Sequence, residues 1–549
     1  MRLRWITRAC ADRLRCSARV VALVVAFSPA ILSQPATAQD PLSAIDWLRE
    51  NLTRPEPGAY PISPLMEDAW LQSAITTRAL GTTRPESVGL FSAARAGLPR
   101  NFWGTTPDAE LRVLIDALPV DTLPALRDLS YRLLLAEFDA PISLAPTDRQ
   151  SDNNLTADRS ATAFLTARID KLIEFGAIDQ AAALLDTLDS DDPGLRLRRF
   201  EIALLLEQEQ RACEVMDNAG QPFPFEPAVI FCQARRGDWA RAQAQYERAR
   251  EMNTLGPVYG PLIEHFLDAE DHLHNGETTI ESIRPTRLSP LAWRLLEAIG
   301  APVATHGLPV AFAHADLRGT IGWRAQLEAA ERLVRSGALP PNHLLGLYTE
   351  RSAAASGGIW ERVRAVQRLE HALEEGDSEA IGTALLNAWP HVAEGELEVA
   401  FANLYAEALL DAELSGAAQE QAVITGLLSD KYERIALDHP GQTPRMQFLT
   451  NVARGLAPSP ATDGDEALRD PLWAAVAEAF AEAPPVPEAA LTRLSDGRLG
   501  EIVLRTLASL DNASDPRVLT DGLATLRHIG LEDVARRAAL QSLLLERRG

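Results

Sequence analysis

The sequence predicts an all-α chain arranged as an α-solenoid of stacked antiparallel helix hairpins, and three observations carry that expectation. First, Ala181, Ala212 and Ala242 stand 31 and 30 residues apart and anchor one pattern in three successive segments. A turn position lies five residues before each (Gly176, Glu207, Gly237). A large apolar residue follows at plus four (Leu185, Met216, Tyr246) and a small or apolar one at plus seven (Leu188, Ala219, Ala249). A period of about 30 suits two short helices and a turn, a unit that buries its apolar faces only by stacking on its neighbours. Second, aromatic residues make up only 6% of the chain and alternating β-branched runs are scarce, which argues against sheets. Third, 549 residues exceed what one compact core holds, so the chain divides into domains or extends as a stack.

Residues 1–38 hold six arginines and one aspartate, then an apolar run from Val20 to Leu32, then Ala36-Thr37-Ala38 before Gln39. This is the pattern of a secretory signal cleaved between Ala38 and Gln39. The run contains Pro29 and is shorter than the roughly 20 apolar residues a spanning helix needs. The expectation is a periplasmic or secreted protein with no stable membrane anchor after cleavage.

Removing a leader of charge +5 from a chain of charge −23 leaves −28 on the remainder. Such an acid excess repels phosphate backbones, so nucleic acid is not expected as a partner. Two cysteines remain, Cys213 and Cys232, either side of a loop marked by Pro222, Pro224 and Pro227. A structural disulfide in an oxidising compartment and two buried free thiols both fit them.

Along the chain, residues 39–64 read as an N-terminal helix (Leu42, Ile45, Trp47, Leu48) and a proline-rich linker (Pro55, Pro57, Pro61, Pro64). A helical region at 65–144 follows. Within it, Leu111, Leu114, Ile115 and Leu118, then Leu126, Leu129, Leu133 and Leu134, repeat at helical spacing, while Leu98 to Gly104 reads as a loop holding Phe102 and Trp103. A polar linker covers roughly 145–158. The hairpin block spans 159–300, clearest up to 256. Further hairpins fill 301–455: helices at 321–336, a pair at 359–389 turning at Gly376-Asp377, and another at 396–428. Val310-Ala311-Phe312-Ala313 reads as a short extended piece. After Pro458, Pro460 and Gly464, C-terminal hairpins occupy 465–549, turning again at Pro484, Pro485 and Pro487.

Gly237-Asp238-Trp239, then Ala242, Tyr246 and Ala249, resemble the second half of a tetratricopeptide repeat. In that pattern glycine closes the turn, small residues let helices approach, and aromatics fill the space between repeats. The first-helix Trp, Leu-Gly and Tyr of that family have no counterparts at Glu226, Val229-Ile230 or Gln233, and Thr254 stands at the usual proline. The resemblance implies tetratricopeptide-like hairpins over about 90 residues. The words Ala313 to Arg318, Gly337 to Pro341 and Ser356 to Trp360 are similar to secreted proteins of alphaproteobacteria without assigned activity, which accords with export.

Three constellations invite a chemical reading. Glu264, His265, Asp268 and His272 share a helical face and His274 adds an H-x-H, but the stretch is acidic throughout and lacks zinc spacing, so no metal is expected. Glu86-Ser87 resembles the catalytic pair of lytic transglycosylases, whose following Gly-Leu-Met-Gln is replaced here by Val88-Gly89-Leu90-Phe91. Ser356-Gly357-Gly358 reads as an anion-holding helix start assisted by Arg351, or as an N-cap and turn. With no nucleophile, phosphate-loop or dinucleotide motif, neither enzyme nor cofactor is expected. The expected function is a scaffold in the cell envelope for a protein or peptide partner. Its contact surface is placed at 340–360, with Tyr348, Arg351 and Trp360. A peptidoglycan-acting enzyme or its regulator, and a structural surface protein, are the rival readings.

Overall fold

The computed structural model describes residues 84–142, 154–188, 190, 192–217, 223, 225–267, 288–458, 470–510 and 515–545, with backbone alone over 154–161. The leader, the Ala38-Gln39 junction, the segments 39–64 and 65–80, and most of the 145–158 linker lie outside them.

The described chain is mostly helical. Helices α1 (Asp108–Asp116) and α2 (Pro124–Leu135) precede a hairpin series: α3 (Asn154–Glu174), α4 (Ile178–Asp186), α5 (Pro193–Leu205), α6 (Glu209–Asp217), α7 (Glu226–Arg235), α8 (Trp239–Glu251) and α9 (Gly256–Leu267). Three turns in this series are built alike. Gly176, Glu207 and Gly237 take positive φ values of 80°, 60° and 85°. In each, the next residue donates its N–H to the carbonyl five positions back: Ala177 to Leu172, Gln208 to Ala203, Asp238 to Gln233. This left-handed C-terminal cap satisfies carbonyls that the helix end would leave orphaned. Ala181, Ala212 and Ala242 follow one turn later and are fully buried.

Beyond α10 (Pro290–Ala298) the segment Val310–Leu317 is a 3-10 helix, which corrects the extended reading of Val310 to Ala313. Its alternation of small and large residues packs on two sides, with Ala311, Phe312, Ala313 and Ala315 all buried. The hairpin at 359–389 forms as α13 (Ile359–Glu375) and α14 (Ser378–Glu394), after α11 (Trp323–Arg335) and α12 (Pro341–Glu350). The remaining helices are α15 (Glu398–Asp411), α16 (Gly416–Leu427), α17 (Tyr432–Asp438), α18 (Pro444–Ala453), α19 (Pro471–Ala479), α20 (Glu488–Ser495), α21 (Leu499–Ser509), α22 (Pro516–His528) and α23 (Glu532–Leu544). Five of these starts share a device: Asp192, Ser289, Thr443, Asp470 and Asp515 each accept N–H groups of the first turn, and proline follows as the first helical residue. Proline there loses nothing, because that N–H has no helical acceptor.

Three apolar cores organise the packing. The first joins residues of 88–205 with Trp293, Phe312 and residues of 402–545. The second lies within 200–296 and the third within 313–422. The chain therefore leaves the first core twice and returns twice.

The first core unites distant parts of the sequence. Phe102 and Trp103, the aromatics of the predicted loop, are buried there, the Trp103 ring 5.3 Å from Phe138 and 5.4 Å from Phe164. Gly500 donates its N–H to Phe102 O (2.9 Å), Thr105 Oγ1 donates to Asp496 O (2.7 Å), and Ala125 N donates to Gln541 Oε1 (2.8 Å). Gly104 and Gly497 meet backbone to backbone; a Cβ on Gly104 would stand 1.8 Å from Gly497 O. Two short parallel strands, β1 (Phe91–Ser92) and β2 (Ala136–Glu137), lie at this junction.

Two buried cations hold the junction. Arg168 is 1% exposed and has no carboxylate partner among the described residues. It donates to Leu134 O through Nε and Nη2 (2.9 and 2.7 Å), to Val88 O (2.8 Å) and to Ala136 O (3.2 Å). Burial pushes its pKa down to about 10, which leaves it charged at neutral pH. Lys171 Nζ donates to Asp116 O (2.6 Å) and Leu118 O (3.0 Å), so a cation meets the carbonyl end of α1.

Candidate functional site

Tyr348 does not belong to a surface, which corrects its placement as a partner contact. Its side chain is 4% exposed in the third core, and its hydroxyl donates to Glu331 Oε1 at 2.6 Å. Glu331 also holds Arg362 through Nε and Nη2 (2.9 and 2.8 Å), and Arg362 Nη1 donates to His391 O. The phenol is pushed well up by burial, with the Glu331 charge adding to it. Trp360 packs its ring 5.2 Å from Trp323 and is half-buried. Arg351 is exposed and pairs with the adjacent Glu350 at 2.9 Å. Helical phase explains the scatter. Tyr348 sits on the inner face of α12, whereas Arg351 follows the helix in extended backbone.

The other sequence candidates resolve individually. A disulfide joins Cys213 and Cys232, with Cα atoms 5.5 Å apart, and ties α6 to α7. Glu86 lies in a single 3-10 turn, where burial raises its pKa. His265 is buried with Nδ1 3.0 Å from Pro261 O, while Asp268, His272 and His274 lie outside the described residues; no group of metal-ligating side chains assembles among those described. At the Gly357-Gly358 turn, Gly357 N donates to Glu361 Oε1, so the helix's own carboxylate occupies the position an anion would take.

A 420 Å³ cleft lies between the α5–α6 turn, α7 and the returning α10. Six charged residues from four stretches of sequence line it. Arg294 Nη1 is 3.1 Å from Glu207 and 2.6 Å from Glu297, and its Nη2 reaches Glu209. Arg318 is 2.6 Å from Glu207 and 3.4 Å from Glu297. Arg235 Nε donates to Glu209 Oε2 at 2.8 Å. Burial raises the Glu207 pKa, and the two arginines oppose that rise. Glu207 occupies the left-handed turn position where its two counterparts are glycine. A side chain there costs about 1 kcal/mol, which its paired arginines offset.

Beside the cleft, Phe231 forms part of the wall, Phe266 lies 5.6 Å from it, and Trp239 lies 5.8 Å from Phe266. Trp239 ends this ladder 48% exposed. All seven residues from Arg235 to Arg241 are exposed. The arrangement offers a rigid aromatic and fixed guanidinium groups, while each cleft carboxylate is already neutralised in place. The residues of the cleft have no signature as a motif. The one legible sign is Glu207 itself, an acid at a position where the 30-residue pattern elsewhere has glycine.

Comparison with known protein families, with curated proteins and with solved structures finds no match to this chain.

Proposed function

We propose that this chain is an exported helical scaffold, with tetratricopeptide-like hairpins stacked as an α-solenoid over 154–267, that binds a protein or peptide partner in the cell envelope. The observation that carries the reading is Trp239, exposed and packed on Phe266, which in turn packs on Phe231 in the wall of a charged cleft. Large aromatics held rigid at a surface supply contact area at little entropic cost, and tryptophan and arginine dominate interface energy. Stacked helix pairs present such residues on a firm base.

The test is a photo-crosslinking side chain at position 239 in the producing cell, with position 113 as control because Val113 is also exposed, at 69%. A discrete adduct at 239 and none at 113 is the expected result. Equal or absent labelling at both positions would overturn the reading.

A further inference from the structure

Resting on that reading, we infer that the partner presents a carboxylate-rich segment to the turn Arg235–Arg241. In a chain with 76 acidic and 53 basic side chains, this exposed turn reverses the balance, with Arg235, Arg236 and Arg241 against Asp238 within it and Glu209 beside it. Arg235 is held by Glu209 and Arg236 Nη2 donates to Cys213 O, so both stems are fixed. Arg241 makes no hydrogen bond or ion pair among the described residues. At the centre, Gly237 turns with a φ of 85° and its Cβ position meets nothing within 4 Å, so another chain can approach the backbone. Trp239 stands between the arginines. The disulfide anchors α7, which carries Arg235, against α6.

The chemistry of this turn selects its occupant. A guanidinium fork matches a carboxylate in geometry and charge, and an adjacent indole face takes an apolar side chain. A long polyanion or an anionic membrane spreads its charge over the whole molecule and meets the net charge of −23. A short acidic segment experiences only charges within about 8 Å at physiological salt. The occupant is therefore a peptide segment of a partner with carboxylates flanking an apolar anchor.

The probe is a short labelled peptide of alternating Glu and Leu, with its Lys-Leu counterpart, phosphatidylglycerol vesicles, oligo-dT and sedimentation of the chain alone as the other arms. Circular dichroism verifies the fold of each variant, and both substituted side chains are exposed. The Glu-Leu peptide is expected to bind the wild type and to lose about tenfold or more in affinity in Arg241→Glu and in Trp239→Ala. The Lys-Leu peptide is expected not to bind. Equal binding of the two peptides, unchanged affinity in Arg241→Glu, or a preference for vesicles, oligo-dT or a second copy would overturn the inference. A partner crosslinked at 239 that lacks an acidic segment overturns the carboxylate assignment and leaves the scaffold standing, whereas failure of both the crosslink and the peptide removes both.

Discussion

The hairpins of 154–267 and the junction of 84–142 with 470–545 are both helical and both tightly packed, yet they are specified in different ways. In the hairpin series each helix packs on the next one along the chain, and three of the turns use the same cap. At the junction the decisive hydrogen bonds join residues 391 and 416 positions apart. Contacts between neighbours leave a period in the sequence. A contact between remote segments leaves only isolated residues whose purpose is invisible until the partner is seen: Gly104 for Gly497, Gly500 for Trp103, Arg168 for three carbonyls.

The largest effect should come from the junction. Arg168→Met is expected to cost about 3–5 kcal/mol in denaturant unfolding, because the carbonyls of Val88, Leu134 and Ala136 lose their donor inside a core. A loss below 1 kcal/mol, roughly the effect of an ordinary surface change, would mean that the junction closes without it.

A pair of glycines sharpens the contrast. Gly104→Ala puts a methyl group against Gly497 O at a φ of 52°, and a loss of about 2–4 kcal/mol is expected. Gly237→Ala also sits at positive φ but in open space, and should cost about 1 kcal/mol. Equal losses would show that the backbone contact at the junction yields easily.

Within the hairpins, Ala242 is fully buried and Ala240 exposed. Ala242→Leu should overpack the helix contact at a cost of about 1–3 kcal/mol and lower the melting temperature, with Ala240→Leu near wild type. Indistinguishable melting would refute the register of the hairpins.

The last test is a titration. Glu201, half-buried on α5, has its pKa raised to about 7, chiefly by burial, with Asp170 adding to the rise and Arg198 opposing it. Since the folded pKa lies above the ordinary carboxyl value of 4.5, the folded state holds this proton more tightly than the unfolded chain. Its favourable contribution is present below pH 4.5 and is lost as the pH rises through 7. Glu201→Gln should accordingly match wild type near pH 4.5 and exceed it by up to about 3 kcal/mol at pH 8. A gap that does not change with pH would place Glu201 in water.

Sequence periodicity located α3 to α8, the 359–389 pair and the 396–428 pair, because each buries its apolar stripe against a neighbour in the chain. It places hairpins over 301–455 and 465–549 without delimiting α18 and α19, although Thr443-Pro444 and Asp470-Pro471 are cap-and-proline starts that open those helices. The surface at 340–360 was misplaced for a different reason. Composition identifies Tyr and Arg as contact residues, but only helical phase tells whether Tyr348 points at solvent or at Glu331.

By itself, then, the sequence determined the helical class, since an amphipathic helix is specified by interactions within a short stretch of chain. Tertiary structure alone decided the rest. It brought Glu207 and Glu209 to Arg294 and Arg318, placed Gly104 against Gly497, and buried Tyr348 while leaving Trp239 in solvent. Charge and close packing act through space, and no spacing along the chain encodes which distant residues the fold will bring together.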